Sequence, residues 1–338
     1  MKLLSIAVPC YNSQDYMEKC IHSLLPGGEE VEILIVDDGS KDHTAEIADR
    51  LAAEHPTIIR AIHQENGGHG EAVNTGIANA TGLYFKVVDS DDWVGEEAYQ
   101  EILNTLRQHQ EEADQLDLVI SNYIYDKQGA VRKKVMQFRK SFPKNQVFGW
   151  EETRRLPAGK YLLMHTLIYR RQLLLDCGLH LPAHTFYVDN LFAYEPLPYV
   201  KKMYYVDVDF YHYFIGREDQ SVHESVMIRR IEQQLKVNRR MIEAYGEHDY
   251  SDKHLKKYMI SYANIITTVS SIMLIRSGTE DALEKKKQLW QYIKETNPSL
   301  YRAFRCSLTG FIINLPGSVG RFIAVIVYKI TQKIYGFN

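Results

Sequence analysis

Residues 3–88 alternate between short apolar runs and segments of helical periodicity, and this alternation constrains the fold more than any other feature of the chain. Apolar runs of strand length occupy residues 3–8, 31–36, 58–62 and 83–88. Between them, segments such as residues 13–25 carry apolar side chains at helical spacing. Strands and helices that alternate in this way form βαβ units, in which the strands pair in parallel. The sequence therefore predicts an α/β fold with a mostly parallel central sheet.

A polar cluster follows each of these four apolar runs. The clusters are Tyr11-Asn12, Asp37-Asp38, Asn66-Gly67-Gly68 and the stretch from Asp89 to Asp92. In an open parallel sheet, ligands bind beyond the carboxyl ends of the strands, and these ends meet at one edge. We therefore expect the four clusters to converge on a single binding site.

The stretch Asp89-Ser90-Asp91-Asp92 places three carboxylates within four residues. Carboxylates at this spacing repel one another unless a positive charge lies among them. Mg²⁺ and Mn²⁺ prefer oxygen ligands of this kind, so a divalent metal site is one interpretation. The other is a solvated acidic turn that caps the next helix, since Asp and Ser are favoured at helix starts. The position on the same sheet edge as Tyr11 and Asp38 favours the metal.

The remainder of the chain changes character near residue 220. Before it, strand patterns are found at residues 116–125, 130–138 and 202–214, with a turn around 127–129, and residues 164–176 are interpreted as a strand that runs into a short helix. After it, helical periodicity with almost no glycine or proline marks residues 221–245, 252–276 and 279–295. We predict an α/β domain at 1–220 and an α-helical C-terminal region at 221–338.

The last segment, from about residue 303 to residue 338, is strongly apolar but interrupted. Asn314, Pro316, Arg321 and Lys329 break it up, and its uninterrupted apolar run covers only residues 322–328. A membrane-spanning helix needs about 20 consecutive apolar residues, so we interpret this tail as an amphipathic segment. It suits either a membrane surface or an interface in a homo-oligomer.

Composition excludes some function classes. The net charge of −3 gives no support for nucleic-acid binding through bulk electrostatics. The four cysteines are scattered and show neither zinc-site spacing nor a disulfide framework, which fits a reducing cytosol. The apolar run at residues 3–8 is too short for the core of a secretory signal. These features predict a cytoplasmic protein.

Four motifs in order carry a resemblance to a known family. They are residues 5–12 (SIAVPCYN), 35–40 (IVDDGS), 65–68 (ENGG) and 89–92 (DSDD). Together they resemble the motifs of family 2 glycosyltransferases, which are inverting enzymes with the GT-A fold that transfer a sugar from a nucleotide donor. The resemblance is strong over roughly the first 95 residues, weak to about residue 220, and does not cover the helical region.

The resemblance implies a donor site with a divalent metal, either Mn²⁺ or Mg²⁺. It implies that Tyr11 stacks on a uracil ring, although a packed tyrosine at a strand end is the alternative. Asp38 would accept hydrogen bonds from the pyrimidine, and Asp37 would bond ribose or cap a helix. Asp89 would contact ribose and metal, Asp91 would bind the metal, and Asp92 would cap the next helix. The implied nucleotide site comprises Pro9, Tyr11, Asp38, Asn66, Gly67, Asp89 and Ser90.

The resemblance also implies a catalytic base. An inverting transfer needs a group that takes the proton of the acceptor hydroxyl, and the matching residue here is Asp189, with Val188 in place of the usual Glu. A helix N-cap is the alternative role for Asp189. His212 or Arg217 would contact the diphosphate, because relatives carry a mobile loop there; a solvated turn is the alternative for this stretch.

The function predicted from these features is a metal-dependent inverting glycosyltransferase that moves a sugar from a UDP-sugar to a cell-surface glycan or lipid-linked acceptor. Paired basic residues in the helical region, such as Arg229-Arg230 and Arg239-Arg240, would suit peripheral contact with the inner face of the membrane. One rival is a nucleotide-sugar-binding module without transfer activity. Another is a sugar-phosphate nucleotidyltransferase, but the turn at residues 9–12 is not the Gly-rich basic phosphate loop that it requires.

Overall fold

The centre of the computed structural model, which describes residues 2–127, 133–157, 160–215 and 223–335, is a mixed β-sheet. Contacts divide the chain into a sheet unit, Met1–Leu156 with Leu162–Gly216, and a helical unit, Pro157–Tyr161 with Arg217–Asn338. The predicted domain boundary near residue 220 lies outside the described residues, and so does most of the predicted turn at 127–129.

Ten strands are described in the sheet unit. They are β1 Leu4–Cys10, β2 Val31–Asp37, β3 Ile59–His63, β4 Tyr84–Val87, β5 Trp93–Val94, β6 Leu118–Lys127, β7 Lys134–Met136, β8 Val147–Phe148, β9 Leu167–Arg170 and β10 Met203–Ile215. Their order is β3-β2-β1-β4-β9-β6-β10-β5, with β7 beside β6 and β8 beside β10.

The longest pairings in the sheet are parallel. β1 pairs in parallel with β2 and β4, β2 with β3, and β6 with β10. The short strands β5, β7, β8 and β9 pair antiparallel. Every residue of β1 and β2 is buried, as expected for central strands covered on both faces. The predicted α/β fold with a mostly parallel sheet is therefore confirmed.

Six described α-helices connect the strands of the sheet unit. They are α1 Met17–Leu24, α2 Thr44–Glu54, α3 His69–Asn79, α4 Glu96–Gln108, α5 Arg171–Asp176 and α6 Asp189–Tyr194. Helix α3 lies very close to β1: a Cβ built on Gly76 would come within 2.5 Å of the Ala7 Cβ. This close approach requires glycine at position 76 and brings the start of α3 to the sheet edge where β1 and β4 end.

The helical unit contains seven described α-helices. They are α7 Glu224–Arg229, α8 Ile231–Gly246, α9 Lys253–Ser277, α10 Glu280–Thr296, α11 Pro298–Cys306, α12 Leu308–Ile313 and α13 Gly317–Tyr335. The predicted helical C-terminal region is confirmed. The predicted helix 221–245 is interrupted, because Arg230 has non-helical dihedrals (φ −101°, ψ 21°) between α7 and α8.

Helix α9 lies at the centre of this unit. Asp252 caps its N-terminus by accepting hydrogen bonds from the backbone N–H groups of His254 and Leu255. Gly278 ends it in the left-handed conformation, with φ +72°. Among the described residues, α9 is the one helix long and apolar enough to cross a membrane, but 61% of its most apolar window is buried within the protein. That burial is typical of a core helix.

Candidate functional site

The Asp38 carboxylate, buried at the end of β2, holds the loop that follows β3. Its Oδ1 accepts hydrogen bonds from Gln64 Nε2 (2.7 Å) and the Gly67 backbone N–H (2.8 Å). Its Oδ2 accepts from Asn66 Nδ2 (3.0 Å) and the Gly68 backbone N–H (2.7 Å). Four bonds fill the roughly four acceptor positions of a carboxylate. Asp38 therefore fixes the loop, and contact with a pyrimidine N–H would require it to exchange one of these bonds.

The neighbouring Asp37 has a local role. Its Oδ1 accepts from the Ser40 backbone N–H (3.1 Å), which closes the turn before α2. Its Oδ2 lies 3.1 Å from His63 Nδ1. The hydrogen bond with Asp37 raises the pKa of His63. The predicted cap of α2 is wrong, because the N-cap position belongs to His43 and carries no side-chain capping bond. The ribose contact of Asp37 remains a prediction.

Tyr11 lies at the end of β1 with its ring half exposed, at 48% of full accessibility. Its backbone N–H donates to Ser13 Oγ (3.1 Å), and that hydroxyl lies 2.9 Å from Ser90 Oγ. Pro9 belongs to β1 and pairs in register with Val36 of β2. The structure thus connects the first motif to the acidic stretch and leaves the Tyr11 ring open to a stacking partner.

Asp89 is the meeting point of the acidic stretch. Its Oδ1 lies 2.9 Å from His69 Nε2, and its Oδ2 lies 3.8 Å from His165 Nδ1. Burial raises the pKa of Asp89, but the hydrogen bond and charge of His69, with smaller effects of His165 and Lys86, bring it below its ordinary value. Asp89 is therefore a carboxylate held ionised beside two imidazoles.

Asp92 is a buried structural carboxyl group. It accepts hydrogen bonds from Tyr211 Oη (2.6 Å) and the Phe214 backbone N–H (2.7 Å), which tie the acidic stretch to β10. Burial and the charges of Asp91 and Asp89 raise its pKa well above the ordinary value. The predicted helix-capping role is wrong, because β5 follows Asp92 and helix α4 begins only at Glu96.

His165 and Lys86 lie beneath the acidic stretch, and the sequence analysis missed both. Lys86 is fully buried on β4, and its Nζ donates to the His165 backbone carbonyl (2.8 Å). Burial lowers the pKa of Lys86 to about 7 and that of His165 to about 4. A lone histidine or an apolar strand with one lysine carries no sequence signal of such a role.

A metal ion fits this cluster chemically. Ligand atoms of Asp89, Asp92 and His165 lie within 4.8 Å of one another. The buried His165 Nδ1 has no hydrogen-bond partner, although burial normally demands one. Carboxylate oxygens are the ligands that Mg²⁺ and Mn²⁺ prefer, and a neutral imidazole nitrogen is a common metal ligand. Asp91, the predicted metal ligand, is half buried beside this cluster.

Asp189 is the first residue of α6. The N-cap position belongs to Val188, without a side-chain capping bond, so the alternative prediction of an N-cap role for Asp189 is wrong. Burial raises the pKa of Asp189 to about 6. The charge of His69 opposes this rise, and the charge of Asp89 adds to it. His69 therefore acts electrostatically on both Asp89 and Asp189. A carboxyl group with a pKa near neutrality is suited to general-base catalysis.

The loop at residues 64–68 that follows β3, here called the glycine loop, positions the segment that carries Asp189. The His184 backbone N–H donates to the Gly67 carbonyl (2.6 Å). Gly68 has φ +83°, and a Cβ on it would come within 3.1 Å of His184 N. His184 and Tyr187 are themselves left-handed, with φ +48° and +66°, which is rare for a bulky residue and costs energy. Packing of the two loops against each other maintains this strained conformation.

Of the two predicted diphosphate contacts, His212 lies among the described residues. His212 Nδ1 lies 3.1 Å from Asp126 Oδ2, and its ring stacks on Trp93 at 5.2 Å. Burial lowers the pKa of His212 despite this carboxylate. Arg217 lies outside the described residues. The structure thus brings together the predicted residues Tyr11, Ser90, Asp89 and, through His69, Asp189.

The chain is similar to known proteins in sequence and in fold. Residues 5–168 match the family model described as Glycosyl transferase family 2. Glycosyltransferase GlyG of Streptococcus pneumoniae is 42% identical over 124 residues, or 36% of this chain and 39% of that protein. The putative glycosyltransferase EpsH of Bacillus subtilis is 26% identical over 299 residues, or 85% of this chain and 81% of that protein. The chain thus spans well under half of GlyG.

Solved structures share the fold. Staphylococcus aureus TarS 1–349 in complex with UDP-GlcNAc superposes with a TM-score of 0.70 at 19% identity, over 99% of this chain and 91% of that one. Mannosyltransferase PcManGT from Pyrobaculum calidifontis, in complex with GDP-Man and Mn²⁺, gives 0.53 at 13% identity, over 96% and 86%. At these identities the likeness establishes the fold alone. The resemblance to family 2 glycosyltransferases is confirmed.

The contact between the glycine loop and the Asp189 segment can be tested by Gly68→Ala. The new Cβ would meet His184 N, so the 184–189 segment should open more readily and exchange its amide hydrogens faster. Gly178→Ala is the matched control, because Gly178 also has positive φ (+65°) but has no atom near its Cβ position. Hydrogen-exchange mass spectrometry of both variants checks this. If the 184–189 segment exchanges its amide hydrogens equally fast in Gly68→Ala and in Gly178→Ala, the coupling of the two loops is contradicted.

Proposed function

From the family 2 glycosyl transferase domain at residues 5–168, we propose that this protein is a metal-dependent inverting glycosyltransferase. It moves a sugar from a UDP-sugar to an acceptor hydroxyl group. One observation carries this proposal: Asp189, with its pKa raised to about 6, shares the field of His69 with Asp89 of the acidic stretch. This coupling supports the proposal that Asp189 is the base for the acceptor and that Asp89 belongs to the donor site.

The donor site begins with the open ring of Tyr11. Uracil stacks on this ring, and the hydrogen bonds from Tyr11 through Ser13 to Ser90 support a ribose contact at the neighbouring Asp89. Asn66 and Gly67 contribute the wall of the site, since Asp38 holds both of them in place. The UDP and UDP-GlcNAc complexes of TarS, a protein of the same fold, support a uridine donor.

The acidic stretch holds the metal, Mn²⁺ or Mg²⁺. Asp89 and Asp91 are the proposed carboxylate ligands; the geometry groups Asp89 with Asp92 and His165, whose Nδ1 has no hydrogen-bond partner and offers a further donor atom. When bound, the ion neutralises the charge that develops on the leaving diphosphate. His69 fixes the orientation of the Asp89 carboxylate, and Tyr211 holds the stretch from below through Asp92. His212 and Arg217 remain proposed diphosphate contacts.

The transfer itself is a single displacement in which Asp189 acts as general base. Its carboxylate takes the proton of the acceptor hydroxyl while the acceptor oxygen forms a bond to the anomeric carbon. The bond from that carbon to the diphosphate oxygen breaks, and the nucleoside diphosphate leaves with the electron pair. With a pKa of about 6, Asp189 is mostly ionised at neutral pH and yet basic enough to accept this proton.

The acceptor belongs to a cell-envelope polysaccharide or its lipid-linked precursor, and the reaction takes place in the cytoplasm at the inner face of the membrane. The amphipathic tail and the basic pairs of the helical unit, such as Arg229-Arg230, support this location. Named relatives such as GlyG and EpsH support the transferase class.

The Tyr11 stacking contact predicts a donor-affinity loss on truncation. Tyr11→Ala should weaken UDP binding about two- to tenfold, as expected for the loss of one aromatic contact. Tyr11→Phe keeps the ring and should bind like the unaltered protein. Titration calorimetry with UDP in the presence of Mn²⁺ checks both variants. If Tyr11→Ala binds UDP as tightly as the unaltered protein does, the stacking role is wrong.

Asp189→Asn should abolish most of the transfer while leaving donor binding intact. Loss of a general base costs roughly 10²- to 10⁴-fold in rate, and the amide preserves the shape of the side chain. Asp176→Asn is the matched control, since Asp176 is exposed at the end of α5 and its side chain accepts a hydrogen bond from Gln172 of its own helix. Radiolabelled sugar transfer and UDP calorimetry measure the two effects.

The pH profile separates a base from a structural carboxylate. Because protonated Asp189 cannot accept the hydroxyl proton, kcat/KM should fall about tenfold per pH unit below the pKa of about 6. The residual activity of Asp189→Asn should lack this limb. Retained transfer in the variant, or an unchanged acid limb, would remove Asp189 from the base role. Retained UDP binding with lost transfer would also reject a binding module without activity.

A further inference from the structure

Helices α12 and α13 expose a stripe of large apolar side chains. Among the described residues, twelve large apolar side chains are exposed, and seven of them belong to these two helices. The seven, here called the tail stripe, are Leu308, Phe311, Val319, Phe322, Ile323, Ile326 and Ile330. Exposed fractions run from 40% for Ile323 to 76% for Leu308. Single exposed apolar residues are ordinary, but a contiguous group marks a binding surface.

The stripe is a regular helix face. On α13 its members, at positions 319, 322, 323, 326 and 330, follow the i, i+3, i+4, i+7 pattern, which places them on one side of an α-helix. The opposite side of α13 is already packed, because Ala324 is buried in a cluster with Ile272, Met273 and Ile275 of α9. The tail stripe therefore faces away from the core of its unit, and no described residue covers it.

The Lys and Arg side chains of the segment that carries the tail stripe are positively charged, and the segment has no acidic side chain. From residue 296 to residue 338 the sequence contains no Asp or Glu, but it contains Arg302, Arg305, Arg321, Lys329 and Lys333. The chain as a whole carries −3, so this positive segment is a local departure. None of Arg302, Arg305, Arg321 and Lys329 forms an ion pair within the described part of the chain.

The positive field of this segment acts on a neighbouring lysine. Lys286 of α10 donates from Nζ to Asn314 Oδ1 (3.0 Å), in the turn between α12 and α13. Burial, together with the charges of Arg305 and Arg321, lowers the pKa of Lys286 to about 8. The region therefore combines an open apolar face with uncompensated positive charge.

We propose that the tail stripe and its flanking basic residues bind the surface of an anionic phospholipid bilayer. An amphipathic helix with aromatic and aliphatic residues on one face and basic residues beside it lies in the interface plane of such a bilayer. Each nearby Lys or Arg adds about 1 kcal/mol of attraction to an anionic surface. A second copy of the chain would instead bring two acid-free, positively charged segments together, which like-charge repulsion opposes.

This inference rests on the membrane location in the proposed function and deepens it, because it assigns the contact to a particular surface. Its readout requires no sugar transfer. A failure of vesicle binding would remove the membrane location but leave the transferase activity standing, and a failure of the transferase tests leaves the membrane contact standing.

Vesicle co-sedimentation of the full chain tests the proposal. The protein should sediment with vesicles of phosphatidylcholine and phosphatidylglycerol, much less with phosphatidylcholine alone, and less as salt is added. Phe322→Asp with Ile326→Asp should weaken binding at least about tenfold, since burying one such side chain contributes roughly 1.5–3 kcal/mol. Leu175→Asp is the matched control, because Leu175 is an equally exposed apolar residue (42%) on α5, and its binding should not change.

A second variant keeps the test decisive if the first folds poorly. Arg302→Gln with Lys329→Gln leaves the apolar face intact and should weaken binding to anionic vesicles by about tenfold or more, on two lost charges. Circular dichroism and UDP binding verify the folded state of every variant. The proposal is overturned if the protein sediments equally with neutral and anionic vesicles, or if neither double variant weakens binding. It is also overturned if light scattering shows a stable dimer that Phe322→Asp with Ile326→Asp dissociates.

Discussion

The hydrogen bonds that the Asp38 carboxylate accepts from residues 64–68 are the constraint on which the site depends. They fix the glycine loop, which follows β3, against the end of β2. The loop in turn positions His184 and His69. Its Gly67 carbonyl accepts from His184 and so positions the segment before Asp189. Its continuation into α3 directs His69 to Asp89. One buried carboxylate therefore organises residues from three distant parts of the sequence.

Charge compensation explains why the acidic stretch is stable when it is placed there. Asp89 receives positive potential from His69 and Lys86, while the buried Asp92 has a raised pKa and hydrogen bonds to Tyr211 and the backbone of Phe214. The polypeptide thus supplies part of the positive charge that the sequence pattern demanded. The buried His165 Nδ1 has no hydrogen-bond partner, and a bound cation would supply the interaction that this nitrogen lacks.

Local patterns in the sequence predicted the strands and the sheet edge, but they did not predict side-chain contacts between residues that lie far apart in the chain. Strand periodicity and the topological rule for parallel sheets predicted the sheet and the edge where Tyr11 and Asp89 lie. Tyr211 and Asp92, in contrast, are 119 residues apart, and nothing in either local pattern indicates their contact. Lys86 and His165 were missed for the same reason. The capping roles expected of Asp92 and Asp189 failed, because cap preference is weaker than the burial that the tertiary structure imposes.

The central claim is that Asp189 and the acidic stretch form one site for single-displacement transfer from a UDP-sugar. The anomeric configuration of the first-formed product tests it most directly, because a single displacement inverts the anomeric carbon and a double displacement retains it. Proton NMR of the product from an α-linked UDP-sugar of gluco or galacto configuration, recorded before any anomerisation, should show the small H1–H2 coupling of the donor replaced by the large coupling of a β-linkage. An α-linked product would contradict the account.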